Sequence, residues 1–191
     1  MLSPFGWFVR VIAGGSRFAT AATIAATALC LSSPAKAQEA GIELGARAPG
    51  AAVETLDGKA VDLSRYIGKK PVVLEFWATW CPLCKQLEPA MEAARAKYAD
   101  RVSFVSVGVN SNQTPDKQKM YAEEKHLGGE FVFDRDGKAV AAYKAPHTSF
   151  LVVIDTEGKV VYTGVGPKQD VDAAVAKAFA MGHMMDKNGQ H

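Results

Sequence analysis

Apolar residues in this chain fall into short continuous runs punctuated by turn residues, and between those runs they recur every three or four positions. Two brief extended runs, 53–56 and 59–63, flank Asp57-Gly58 and predict a hairpin. Pro71 then opens Val72-Val73-Leu74-Glu75-Phe76-Trp77, a run with the length and β-branched content of a buried strand. From 84 to 99, Leu87, Met91, Ala94 and Tyr98 repeat at helical spacing among good helix formers. Pro89 inside that stretch removes one backbone hydrogen bond and predicts a kink. A second buried strand is expected over 102–109. Thr114-Pro115-Asp116 then caps a helix reaching about His126. A short strand, 130–133, ends at Asp134-Arg135-Asp136-Gly137, and a helical turn follows through Tyr143. The run 150–154, the turn 155–158 and the run 159–163 form a second hairpin, and an Ala-rich helix over 170–181 closes the pattern. Strands alternating with helices and finishing in an antiparallel hairpin imply an α/β fold, with a central mixed sheet flanked by helices on both faces and an N-terminal β-hairpin extension.

The first 37 residues stand apart from this pattern. Arg10 and Arg17 precede an apolar, Ala-rich stretch over 18–31, and Ala35-Lys36-Ala37 fits a small-x-small cleavage site, so 1–37 is expected to be a signal peptide cut before Gln38. The competing reading is an uncleaved anchor, for which the apolar stretch is short of the roughly 20 residues needed to span a membrane. The expected organisation is thus 1–37 signal, 38–47 linker or arm, 48–182 folded domain and 183–191 tail. It implies a periplasmic or secreted protein.

Removing that segment changes the charge and cysteine counts. The full chain has 191 residues and a formal charge of +2; the removed segment holds Arg10, Arg17 and Lys36, which leaves 19 basic against 20 acidic residues. With that balance, and with no basic run interleaved with aromatics, nucleic-acid binding is not expected. Cys30 leaves with the segment, so two of the three cysteines remain, Cys81 and Cys84. A bridge across two intervening residues closes too small a loop to constrain the unfolded chain much, so the value of the pair must lie in chemistry.

A Cys-x-x-Cys between a buried strand and a helix start puts the first sulfur beside free backbone N–H groups and the positive end of the helix dipole. That environment favours the thiolate, giving Cys81 the character of a nucleophile and Cys84, one turn on, that of a resolving thiol. Pro82 suits the first helical position. A structural zinc site would need about four ligands, and no second cysteine pair exists to complete one.

The segment from Val72 to Trp77, continued by Ala78-Thr79-Trp80-Cys81-Pro82-Leu83-Cys84, resembles the active-site block of thioredoxin-like proteins. It is most similar to the secreted bacterial thiol:disulfide oxidoreductases related to the cytochrome c maturation thioredoxins. The resemblance implies a thioredoxin-like fold and a dithiol/disulfide cycle at Cys81 and Cys84 with no bound cofactor or metal. It also implies a monomer that exchanges with protein thiols or disulfides and draws electrons from a membrane donor, acting as a reductant. Glu75 matches the buried acid of the family. A carboxyl buried there would have a raised pKa and could relay a proton to Cys84, whereas on an edge strand it would simply be solvated. Trp80 is expected to offer an exposed flat surface to a partner chain, and Trp77 to sit in the core.

Two departures from the family pattern stand out. Where the family carries a cis-proline loop facing the cysteines, Ala145-Pro146-His147-Thr148-Ser149-Phe150 has three residues between Pro146 and Phe150, so either Pro146 or His147 occupies that place. Pro146 is preferred, because a cis bond before His147 would cost about 3 kcal/mol. The acid usually found two residues before the helix proline is replaced by Leu87, with Glu88 next to it. Two other functions compete with disulfide exchange. A copper-handling protein would use the same cysteines, with His147 as a candidate further ligand; the C-terminal Met and His residues could also suggest copper. A thiol peroxidase would want a threonine where Ala78 stands.

Overall fold

The computed structural model describes residues 41–186, so the expected signal peptide, its cleavage site and Gln38 lie outside the described residues. Seven strands form one mixed sheet: β1 (Ala52–Thr55), β2 (Ala60–Asp62), β3 (Val72–Trp77), β4 (Ser103–Val109), β5 (Glu130–Asp134), β6 (Phe150–Ile154) and β7 (Val160–Val165), in the order β2-β1-β5-β4-β3-β6-β7. Among the described residues, four helices accompany them: α1 (Pro82–Tyr98), α2 (Pro115–Glu124), α3 (Lys138–Ala142) and α4 (Val171–Asp186). The class and element order match the sequence pattern. Helix α4 runs on to Asp186, beyond the expected end at 181, and a 3-10 turn at Leu63–Tyr66 follows β2, started by the Asp62 side chain accepting from the Ser64 N–H.

β3 is parallel to β4 on one side and antiparallel to β6 on the other, and all six of its residues are buried. This central position explains its continuous apolar run. Alternate residues face opposite layers. Val72, Leu74 and Phe76 join Val105, Val107, Phe150 and Tyr143 on the face covered by α3 and the 3-10 turn. Val73 packs with Leu87, Met91, Ala94 and Tyr98 of α1 and with Val171, Ala174, Val175 and Ala178 of α4. The predicted helical stripe is therefore the buried face of α1, and Pro89 lies exposed on its other side within an unbroken helix.

The two parallel connections, β3-α1-β4 and β4-α2-β5, lead in the same direction across the sheet, and right-handed crossovers place α1 and α2 on one face. Where α2 packs on β4, a Cβ on Gly108 would lie 1.5 Å from the amide nitrogen of the wholly buried Gln118, so any larger residue there would displace that side chain. The N-terminal hairpin forms about Asp57-Gly58 as expected, and β1 also pairs antiparallel with β5, making the hairpin an extension of the main sheet. Residues 41–48 form an ordered arm: the Gly45 N–H bonds the Val160 carbonyl at 2.7 Å, and the Ile42 N–H bonds the Tyr143 carbonyl at 3.0 Å. Among the described residues, no helix is long and apolar enough to cross a membrane.

Leu87 is fully buried between α1 and the sheet, one turn after Cys84. Its replacement by Ala is expected to lower unfolding stability by about 3 kcal/mol in urea titrations, the usual cost of a large-to-small core change.

Candidate active site

β3 ends at Trp77 and α1 begins at Pro82, so Ala78 to Cys81 form the connection that emerges at the carboxyl end of the parallel strands. Cys81 caps the helix: its carbonyl accepts the Lys85 N–H at 3.2 Å, and Pro82 occupies the first helical position, where its missing N–H costs nothing. Cys81 and Cys84 are joined in a disulfide with Cα atoms 5.3 Å apart, and both are nearly inaccessible. The Cys84 N–H donates to Cys81 Sγ at 3.1 Å, and the Thr148 hydroxyl donates to the same sulfur at 3.2 Å. Once the disulfide opens, these two donors and the helix N-terminus would stabilise a thiolate on Cys81.

The connection is held from behind by a residue that the sequence reading did not single out. The side chain of Gln113, buried just ahead of α2, accepts from the Thr79 N–H at 3.0 Å and donates to the carbonyls of Val109 at 2.5 Å and Trp77 at 3.4 Å. Trp80 is tied by its indole N–H to the Ser111 carbonyl at 2.7 Å, yet 45% of its surface is exposed, and Leu83 beside it is 42% exposed. Trp77 is in the core, against Tyr121 and Phe131. A groove of about 480 Å³, lined by Trp80, Val109, Ser111, Pro146, His147 and Thr148 among others, runs alongside the pair.

The loop carrying Pro146 and His147 does face this site, but the expected cis bond is absent. All peptide bonds among the described residues are trans, including those before Pro146 and His147. The chain reverses instead through left-handed backbone at Lys144 (φ 49°) and Ser149 (φ 62°). Ser149 is held there by its N–H on the Phe76 carbonyl and by the Gly166 N–H on its own carbonyl. Spreading the reversal from 144 to 149 accommodates the extra loop residue. It also brings Thr148, not the exposed Pro146 or His147, onto the sulfur of Cys81.

Glu75 is buried on β3, on the same face as Trp77 and beneath α1, so the solvated edge-strand alternative does not hold. Burial pushes its carboxyl up to about 7; Arg95 opposes that rise, and Glu88 and Glu92 reinforce it. Arg95 Nη2 lies 3.8 Å from Glu75 Oε2 and donates to Ser106 Oγ at 3.0 Å, while Nη1 donates to Glu92. Glu88 accepts from the Tyr121 hydroxyl at 2.6 Å. Arg95 was hidden in the sequence because it adjoins the apolar stripe of α1, where only its spacing three residues after Glu92 marks it. Among the described residues, no group of three or more His, Cys, Asp or Glu side chains converges as metal ligands would.

A disulfide-forming Cys-x-x-Cys pair at the strand-to-helix junction of this sheet defines a thioredoxin-like thiol:disulfide oxidoreductase. The chain belongs to the Redoxin family, whose profile matches residues 43–179. It is similar to the thioredoxin-like protein YneN of Bacillus subtilis, with 33% identity over 138 residues, 71% of this chain and 80% of that protein. It also resembles the thiol-disulfide oxidoreductase ResA of Bacillus thuringiensis, with 28% identity over 124 residues, 65% of this chain and 70% of that one. Among solved structures, a proposed protein disulfide isomerase from Bacteroides thetaiotaomicron superposes with a TM-score of 0.66 at 25% identity, covering 78% of this chain and 98% of that one. A proposed thiol:disulfide interchange protein DsbE from Chlorobium tepidum gives a TM-score of 0.62 at 27% identity, covering 73% of this chain and 97% of that one.

Replacing Thr148 with Val removes one of the two donors on Cys81 Sγ. In the reduced protein, the Cys81 pKa is expected to rise by about one unit, the scale of one charge-assisted hydrogen bond, while Thr148→Ser leaves it near the wild-type value. Ultraviolet titration of thiolate absorbance checks both variants.

Proposed function

We propose that this protein exchanges disulfides with extracytoplasmic protein partners through Cys81 and Cys84, and that it works as a reductant. The observation that carries the exchange chemistry is the convergence of the Cys84 N–H and the Thr148 hydroxyl on Cys81 Sγ at the first turn of α1. In the reduced protein, Cys81 attacks a partner disulfide, and the departing partner sulfur leaves as a thiolate. The mixed disulfide is resolved when Cys84 loses its proton to Glu75 and attacks Cys81 Sγ. The Cys81–Cys84 bond forms, the bond to the partner breaks, and the second partner sulfur leaves as a thiolate. The partner has then gained two electrons and the pair has lost them.

Trp80 and Leu83 give the partner an exposed apolar surface next to the sulfur, and the groove past Pro146 and His147 has room for an extended segment. The reductant direction is supported by Glu75. Above about pH 7 its buried negative charge opposes a thiolate on the reduced pair, which favours giving up the electrons. Continued turnover then needs a supply of electrons, and a membrane donor outside the cytoplasm is the source that fits the expected cleaved signal peptide. The protein acts as a monomer, and the chemistry calls for no bound cofactor.

Cys81→Ser is expected to abolish reduction of insulin, and Cys84→Ser to accumulate mixed disulfides with the partner; full activity in both variants would end this reading. Equilibration of the pair with glutathione buffers checks the direction. A potential near about −270 mV supports a reductant, and one near about −120 mV marks an oxidant that introduces disulfides.

A further inference from the structure

Arg95 is the cation nearest Glu75, and it is shared. Its two terminal nitrogens point to different acids: Nη1 to Glu92, whose side chain is 37% exposed, and Nη2 to Glu75, which is buried. Ser106 of β4, the register partner of Glu75, accepts from Nη2 at 3.0 Å and fixes the guanidinium between the two carboxylates. The Phe104 ring lies 5.8 Å from the guanidinium carbon and walls the group from below. One positive charge therefore serves two negative ones. When Glu75 is protonated the trio is neutral; when Glu75 ionises, the trio carries a net negative charge in a site with little access to water, which is costly.

We propose that the division of Arg95 between Glu92 and Glu75 sets the protonation state of Glu75, making Arg95 and Glu92 positioning residues for the proton transfer that resolves the mixed disulfide. The transfer itself rests on the exchange reaction proposed above. The charged and titratable groups facing Glu75 come from two elements: Arg95, Glu88 and Glu92 on α1, and Tyr121 on α2, whose phenol is bound to Glu88. β6 presents Leu151 at the register position opposite Glu75, and the residues of α4 packed in the adjoining cluster are apolar. The ionic groups acting on Glu75 thus all come from α1. Glu92 holds part of the guanidinium, and its own charge adds to the repulsion on Glu75. Both effects favour the protonated form, while the remaining share of Arg95 opposes it.

The sharing requires shifts of opposite sign from two substitutions on the same helix. Arg95→Met should raise the Glu75 midpoint by a unit or more, about a tenfold gain in proton affinity, whereas Glu92→Gln should lower it below about 7. Arg95→Lys should fall between wild type and Arg95→Met. The midpoint is read from the carboxyl carbon resonance of Glu75 in pH titrations of the purified oxidised protein, which needs no substrate. The rate of mixed-disulfide resolution is followed over the same pH range.

Opposite shifts in the two variants support the proposal, and no shift, or shifts of one sign, overturns it. If Arg95→Met does not fold, Glu92→Gln still decides, because a midpoint that stays put or rises contradicts the sharing. Resolution rates that track the shifted midpoints extend the proposal to the exchange step. Shifted midpoints with unmoved rates would leave the charge division standing and remove Glu75 from the exchange mechanism.

Discussion

Burial of a carboxyl in the central strand is the constraint around which this site is arranged. Glu75 is only 6% exposed, and an unpaired charge there would be too costly to sustain at neutral pH. The fold answers with a cation from α1, a hydroxyl from β4 and a rise in the carboxyl pKa to about 7, so the group stands between its two protonation states under ordinary conditions. A proton held at that balance is useful only next to chemistry that consumes or releases one. α1, the helix that supplies the cation, also begins at the cysteine pair.

The sulfur end is built by a different set of contacts. Cys81 lies where a buried strand hands over to a helix, and the hydrogen bonds that act on its sulfur come from one local group, the Cys84 N–H, and one distant group, the Thr148 hydroxyl. The distant one depends on the antiparallel pairing of β3 with β6, which brings the loop before Phe150 beside the end of β3, and on the left-handed Ser149, which turns Thr148 inward. Gln113 and the Ser111 carbonyl hold the 77–80 segment from the β4-α2 connection. Three separate stretches of chain thus meet at a pair of residues three apart in sequence.

In the proposed cycle these two ends divide the work. Donors at Cys81 favour the attacking thiolate, and the buried acid governs the resolving one, so the two half-reactions can be tuned by different residues. A partner would meet Trp80 and Leu83, which remain exposed although both are large and apolar, and the groove beside them. The single tether of Trp80 to Ser111 keeps its ring at that surface and out of the core occupied by Trp77.

Local pattern alone determined the strand and helix order, the N-terminal hairpin, the inward stripe of α1, and the placement of a reactive pair at a helix start, because each depends on residues within a turn or two of one another. The buried state of Glu75 was also legible, since a lone acid among five apolar residues in a six-residue run signals a central strand. What only the tertiary structure decided are the contacts made across the sheet. Thr148 on Cys81, Gln113 behind the connection and Arg95 beside Glu75 are separated from those partners by loops or by whole elements, and their sequence neighbours do not reveal these contacts. The loop at Pro146 shows the same limit. The family pattern led to an expected cis bond there, but the chain takes a trans path through left-handed Lys144 and Ser149, with Ser149 held by Phe76 of β3 and by Gly166, contacts that exist only in the packed sheet.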